Sequence, residues 1–453
     1  MQMAVEIGYD EDYRLLLTGI DCDCGSLHNQ PTQDIYVGNR LLENVPRYLE
    51  RRGIGGQGVL VADNLTWDLA GQKLMSILEQ AGFAVTPCVI HRADEMEPDE
   101  RACGEVLLTM QAETEFLISV GSGSITDTTR IVAMRTGKRF VCVGTAPSMD
   151  GYTSVVAPLL LRGVKIHRAA VCPEIIVCDL EIMRSAPLKM VISGVGDVLG
   201  KYIAHVDWRI GQIINGETYC PVCGAIVTDA VNRLIDNIEA IRQRSEAGIR
   251  ILIEALLLAG VTIMIIGHTR AVASIEHNIV HYWDMMKLLD QQKQPSHGTA
   301  VGVSTLLVWP LYLRFARENL GELDLEDIKR RRMSRAQREK WLLDSYQEVA
   351  ATEIMRENQG DFLDWPEQER RIRTAQQRFD DLADAIAHLP ALDRIQKAMQ
   401  VLGAPMLPGD IGIGPSLLNR SMYAAKDYRT RYSLFKLLDE CGLLQQYLSE
   451  YPL

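Results

Sequence analysis

Three histidines and one upstream aspartate are the residues best placed to do chemistry. In SIEHNIVHYW (274–283), His277 and His281 are four apart and share one face of a helix. SHGTAVGV (296–303) sets His297 just before a glycine and an apolar helix. GVGDVLGKYIAHVDW (194–208) reads as opening a helix with Asp197 in its first turn, where an aspartate commonly just complements the helix dipole. A lone histidine is more often a satisfied core residue. Three within 21 positions, behind an aspartate, favour a site for a divalent metal that keeps one coordination position open.

A second set of residues suits a phosphate-bearing cofactor. GSGSITD (121–127) follows a predicted strand and opens a helix. Glycines there allow close approach of a pyrophosphate, and a helix N-terminus favours negative charge. The segment is neither a G-x-G-x-x-G nor a P-loop, and a tight strand–helix turn is the plain alternative. Asp63 ends an earlier predicted strand and can serve an adenine-ribose hydroxyl or cap the next helix. TAPSMDGYTS (145–154) concentrates hydroxyls and Asp150 at a strand's C-terminal edge, where ligands bind in open α/β sheets.

The cysteines offer a rival chemistry. Cys22, Cys24 and His28 lie in CDCGSLH, and Cys220 and Cys223 in CPVC. Two distant pairs can build a structural zinc site, but C-x-C followed by C-x2-C is irregular, which favours buried free thiols.

These residues must be positioned by two kinds of element. GVLVAD (58–63), AVTPCVI (84–90), FLISVG (116–121) and FVCVGTAPS (140–148) read as buried strands alternating with helices, hence a parallel doubly wound sheet. VVAPLLL (155–161) and EIIVCD (174–179), flanking GVKIHR, read as an antiparallel addition. Beyond Pro187 only helical periodicity remains, and the charge-dense stretch 321–380 reads as solvated helix faces. The expected architecture is an α/β Rossmann-like domain, 1–185, followed by an all-α domain, 186–453, with the binding site in the cleft between them.

Composition narrows the function classes. A chain of 453 residues can bury a core without disulfides or a structural metal. With Lys+Arg 47 against Asp+Glu 59, the net charge of −12 argues against non-specific nucleic-acid binding and adhesion to an anionic membrane. The apolar run Ile251–Ile266 carries Glu254 and Gly260 and reads as a buried core helix, not a membrane span. No signal peptide is visible, and ten cysteines then suggest reduced thiols in the cytoplasm.

Taken together, the motifs over roughly 20–310 resemble the sn-glycerol-1-phosphate dehydrogenases, within the superfamily of glycerol dehydrogenase, iron-containing alcohol dehydrogenases and dehydroquinate synthase. GAPMLPGDIGIGPSLLNRSMYAAKDYRTRYSLFKLL (403–438) looks like the bacterial branch. The resemblance implies a dehydroquinate synthase-like fold and a metal-dependent oxidoreductase reducing dihydroxyacetone phosphate with NAD or NADP. On matching positions, Gly121, Gly123, Ser124, Ile125, Thr126 and Asp127 would hold the pyrophosphate region. Thr145, Ala146, Pro147 and Ser148 would line the nicotinamide end, Ser154 would touch the cofactor, and Asp63 the adenosine ribose. Asp197, His277 and His297 would ligate one divalent metal (zinc, nickel or iron). Asp150 would contact substrate and His281 would sit on the substrate side.

Ser122 departs from the family's usual GGG, and a serine tolerates that turn only with negative φ. The implied partners are a small phosphorylated substrate and further copies of the chain in a homo-oligomer, with neither nucleic acid nor membrane insertion. Rival readings are a dehydrogenase for glycerol or another small polyol, a dehydroquinate synthase-like enzyme, and a non-catalytic NAD-binding or metal-sensing protein built on the cysteines.

Overall fold

The computed structural model describes residues 6–450, apart from 19–21, 23, 26–27, 29–31, 94, 162–163 and 359–361. The chain divides into two compact units. The first comprises Met1–Asp23, Leu27–Val198 and Ala225–His268; the second comprises Cys24–Ser26, Leu199–Gly224 and Thr269–Leu453. The boundary expected at 185/186 separates secondary-structure classes, whereas residues 225–268 of the helical half pack with the first unit.

Ten strands are described, all in the first unit: β1 (Glu6–Tyr9), β2 (Leu15–Thr18), β3 (Asp34–Gly38), β4 (Gln57–Asp63), β5 (Ala84–Ile90), β6 (Thr114–Gly121), β7 (Arg139–Gly144), β8 (Val156–Leu161), β9 (Val164–Ala169) and β10 (Ile175–Asp179). Six form a wholly parallel sheet in the order β3-β10-β7-β6-β4-β5. Its inner strands are continuous apolar runs because helices cover both faces of such a sheet. Leu60, Ile118, Val120, Val141, Val143, Ile175 and Val177 form a buried core there, beside Tyr36 stacked on Tyr48 with ring centroids 3.6 Å apart. From β4 the chain adds β5 on one side, then returns to add β6 on the other. That reversal is the topological switch point, and ligands bind outside the strand C-termini at such points. Asp63 ends β4 and Gly121 ends β6, so both expected cofactor positions lie there.

Several expectations need correction. EIIVCD is no antiparallel addition: β10 lies between β3 and β7 in the parallel sheet, and VKIHRA supplies β9, the antiparallel partner of β8. An apolar run shows that a strand is buried on both faces but not which neighbour it pairs with. FVCVGTAPS is strand only to Gly144; TAPS is already loop. DIYVG, unmarked in the sequence reading, forms the edge strand β3.

No strand is described after β10. The helix Glu246–Ile266 is long and apolar enough to cross a membrane, but every residue from Leu252 to Ile263 is buried within the protein. Ser245 caps its start by accepting the Gly248 N–H, and Gly267 ends it with φ +74°. The helix carrying Asp197 runs Leu188–Asn215, so Asp197 is mid-helix and its dipole role falls away. Pro187 and the leucine after it, not the glycines of GVGD, mark the true start. This helix passes from the first unit into the second at Leu199.

Candidate functional site

The first unit presents a glycine turn on a rigid base. β6 ends at Gly121, where any Cβ would lie 2.6 Å from Ile125 Cβ, so only glycine fits the turn. Ser122 has φ −101° and ψ −152°, extended backbone that a serine adopts without strain, so its departure from GGG leaves the turn intact. Its hydroxyl lies 2.6 Å from that of Ser148, tying the turn to the TAPS loop. The helix Gly123–Thr136 starts directly after this turn, and the first N–H groups of a helix lack intrahelical partners and suit an anion.

Asp63 caps the helix after β4: Oδ1 accepts both the Thr66 N–H, at 2.7 Å, and the Thr66 hydroxyl, at 2.9 Å. The capping role is therefore real, with Oδ2 outside that box. Ser154 is occupied locally, donating to the Val156 carbonyl at 2.8 Å and accepting the Val156 N–H at 3.0 Å.

Arg130, fully buried, fixes the DGYTS segment to this helix. It donates to the carbonyls of Gly151 (2.5 Å), Tyr152 (3.1 Å) and Val156 (3.2 Å), and lies 3.4 Å from Asp127 Oδ1. Burial pushes the Asp127 carboxyl up to about 7, opposed by the positive charges of Arg130 and Lys165. Tyr152 donates its hydroxyl to the Ala146 carbonyl at 2.7 Å. The Asp150 N–H donates to Asp197 Oδ2 at 3.0 Å, and Ser193 Oγ to the Ser148 carbonyl at 2.9 Å. Thus Asp127, Ser148, Asp150, Ser154 and Asp197 belong to one hydrogen-bonded region of the first unit.

Two helical glycines make this possible. A methyl at Gly194 would overlap the Pro147 carbonyl, and one at Gly260 would overlap the Thr153 hydroxyl. Sequence reasoning missed both, along with Arg130. The signal was present: a glycine inside a helical pattern costs about 1 kcal/mol against alanine, so it calls for a packing reason.

The second unit holds the histidines. His277 and His281 lie on the helix Ile275–Leu289, and His297 is the first residue of the helix His297–Phe315. Ring centroids are 6.4 Å apart for His277–His281, and 5.5 Å for both His277–His297 and His281–His297. The His281 ring also stacks on Tyr428 at 5.3 Å. Asp284, one turn after His281, joins a compact group: His281, Asp284 and His297 each bring a ligand atom within 4.8 Å of the others.

Gly200, on the helix that carries Asp197, packs directly against this cluster. A Cβ there would stand 3.3 Å from His277 Cε1, 3.3 Å from Glu276 Cγ and 2.8 Å from Val301 Cγ1. Asp197 precedes Gly200 by three residues of the same uninterrupted helix, so the two share a face. Converging imidazoles with the Asp284 carboxylate suit a borderline divalent cation such as zinc, nickel or ferrous iron, so this donor chemistry fits a metal cofactor.

None of the ten cysteines is in a disulfide; Cys220 and Cys223 are buried, and Cys220 Sγ accepts the Cys223 N–H at 3.3 Å.

Residues 36–187 match the iron-containing alcohol dehydrogenase family. The chain is 34% identical over 303 residues to a glycerol-1-phosphate dehydrogenase [NAD(P)+] of Halalkalibacterium halodurans, covering 66% of this chain and 76% of the relative. It is 32% identical over 391 residues to the enzyme of that name from Geobacillus thermodenitrificans, covering 85% and 87%. The chain belongs to the glycerol-1-phosphate dehydrogenase family. Members of this family are oxidoreductases, and the present chain is an NAD(P)-dependent dehydrogenase with a divalent metal as second cofactor. Its fold resembles a glycerol dehydrogenase of Schizosaccharomyces pombe at TM-score 0.59 and 14% identity, covering 99% of this chain and 93% of that one.

Proposed function

We propose that this enzyme reduces dihydroxyacetone phosphate to sn-glycerol 1-phosphate in the cytoplasm, with residues 1–185 holding NAD(P)H and 186–453 supplying metal and substrate contacts. The observation that carries the reading is the convergence of His277, His281 and His297 beside Gly200, one helical turn beyond Asp197. Asp197, His277 and His297 would hold the metal. When bound, the nicotinamide supplies a hydride and the metal a positive charge where the carbonyl oxygen becomes negative.

The chain's own residues do the rest. The N–H groups opening Gly123–Thr136 bind the pyrophosphate, and the residues from Gly121 to Asp127 shape that cradle. Thr145 to Ser148 orient the nicotinamide end, held by the Ser122 and Ser193 hydroxyls. Ser154 borders the cofactor, and Asp150 positions the substrate. His281, stacked between His297 and Tyr428, delivers a proton to the substrate oxygen, a task suited to imidazole near neutral pH. Asp63 at the end of β4 disfavours a 2′-phosphate by charge, which leans preference towards NAD.

Zinc or nickel is the proposed metal, and a homo-oligomer the proposed assembly. An alternative placement of that one metal, on His281, Asp284 and His297, is supported by their mutual approach within 4.8 Å and would take His281 out of the proton-donor role. The variant His277→Ala separates the two, because it removes a ligand only from the first.

The deciding assay is NADH oxidation with dihydroxyacetone phosphate, before and after chelation and metal return, with product chirality read by a stereospecific glycerol-3-phosphate enzyme. Metal-dependent formation of the sn-1 product is expected. NADH binding without turnover on any returned metal overturns the substrate assignment.

A further inference from the structure

The helix that presents His277 carries a carboxylate immediately before it, and that carboxylate has no direct part in the chemistry above. Glu276 is fully buried. Its Oε1 lies 2.7 Å from His277 Nδ1 and also accepts the Ser274 N–H at 2.9 Å. The Ser304 hydroxyl donates to the Glu276 carbonyl at 2.9 Å, so backbone and side chain are both fixed.

The support continues inward. Ser274, whose N–H holds Glu276, donates its own hydroxyl to Asp207 Oδ2 at 2.6 Å. Asp207 is fully buried and further held by the Tyr312 hydroxyl and the Leu434 N–H, each 2.8 Å from Oδ1. Arg431 supplies nearby positive charge: burial pulls its guanidinium down to about 10, and Glu276 opposes that pull. Gly200 closes the remaining side, within 3.3 Å of Glu276 Cγ and His277 Cε1 by its absent Cβ.

Burying a carboxylate is costly unless it is hydrogen-bonded and its charge is used. An imidazole whose Nδ1–H is given to a carboxylate has one tautomer, one ring orientation and a more electron-rich Nε2. We propose that Glu276 is the positioning residue of the metal site: it takes the Nδ1–H of His277 and so presents Nε2 as the ligand atom. The inference rests on His277 being a metal ligand, as proposed above. It adds that affinity and ligand geometry at that site are set by a buried Asp207–Ser274–Glu276 relay of hydrogen bonds.

The test compares the full-length enzyme with Glu276→Gln, Glu276→Leu and His277→Ala. Zinc affinity is measured by competition with a chromophoric chelator, and the His277 tautomer by nitrogen-15 NMR of the zinc-free protein. Glu276→Gln is expected to weaken zinc about 10-fold and Glu276→Leu towards about 100-fold, with one zinc still bound at saturation. The Nδ1–H tautomer of His277 is expected to dominate in the parent and to lose its dominance in Glu276→Leu, a change that simple loss of packing does not produce. If His277→Ala loses the zinc while both Glu276 variants keep parental affinity and tautomer, the inference is overturned and the metal reading stands. If His277→Ala keeps zinc at full affinity, the metal reading itself fails and the inference with it. Should Glu276→Leu not fold, the isosteric Glu276→Gln carries the same comparison.

Discussion

Replacing Arg130 by methionine tests whether one buried guanidinium organises the cofactor region. Methionine approximates its length and apolar stem but donates no hydrogen bond. Three carbonyls, those of Gly151, Tyr152 and Val156, lose their donor, and Asp127 loses its neighbouring cation at 3.4 Å. Each buried acceptor left unpaired costs about 1–3 kcal/mol, and removing one partner of a buried ion pair costs about 3–5 kcal/mol. These terms overlap, since the loop relaxes and Asp127 takes up a proton, so a total of about 4 kcal/mol is expected. The first unit should therefore unfold at lower urea concentration, and amide exchange should accelerate at 151–156 by up to about three powers of ten. NADH affinity should fall as well, because the same carbonyls belong to the DGYTS loop. Arg130→Lys should recover only part, since a single ammonium cannot reach three carbonyls in a fixed fork. Unchanged exchange at 151–156 together with parental NADH affinity would refute the reasoning.

Gly260→Ala should displace the 150–153 segment, cost about 1–3 kcal/mol by overpacking, and weaken NADH binding; a thermal scan with NADH titration reads both. Asp127, pushed up to about 7 by burial, binds a proton in the folded chain that the unfolded chain has already released. Its contribution is thus full below about pH 4 and fades as pH rises to about 7, on the order of 4 kcal/mol in all. Asp127→Asn should flatten that fall in urea denaturation between pH 4 and pH 8; identical pH profiles for parent and variant would count against it. Chelation should lower thermal stability, and zinc at about 100 times its Kd should restore about 2.7 kcal/mol. His277→Ala should show no such recovery in a paired scan. Ser122→Gly should weaken NADH binding by about 0.5–1.5 kcal/mol, by loss of the hydroxyl that ties the turn to Ser148 and not by backbone strain, whereas Gly121→Ala should abolish it against Ile125.

Much of the site was legible in local sequence. Strand runs ending in Asp63 and Gly121 located the strand–helix turns expected to meet a cofactor, and the four-residue spacing of His277 and His281 put both on one helical face. Such patterns survive because a strand repeats every two residues and a helix every 3.6, whatever the rest of the chain does. The start of the Asp197 helix was misplaced because GVGD resembles an N-terminal signal, while the stronger boundary was Pro187.

The sequence alone therefore determined most of the element types, the class of sheet and which residue kinds are chemically able to hold a phosphate and a metal. Tertiary structure decided what lies against what. That β10 and not β9 joins the main sheet depends on pairings between segments far apart in the chain, which no local period encodes. That Gly194, Gly200 and Gly260 must be glycine depends on what faces each helix: the Pro147 carbonyl, a Val301 methyl and the Thr153 hydroxyl. Arg130 and Glu276 look in the sequence like ordinary charges on amphipathic helices. Only burial, with the unpaired-charge cost it imposes, turns one into the anchor of a loop and the other into a partner for His277.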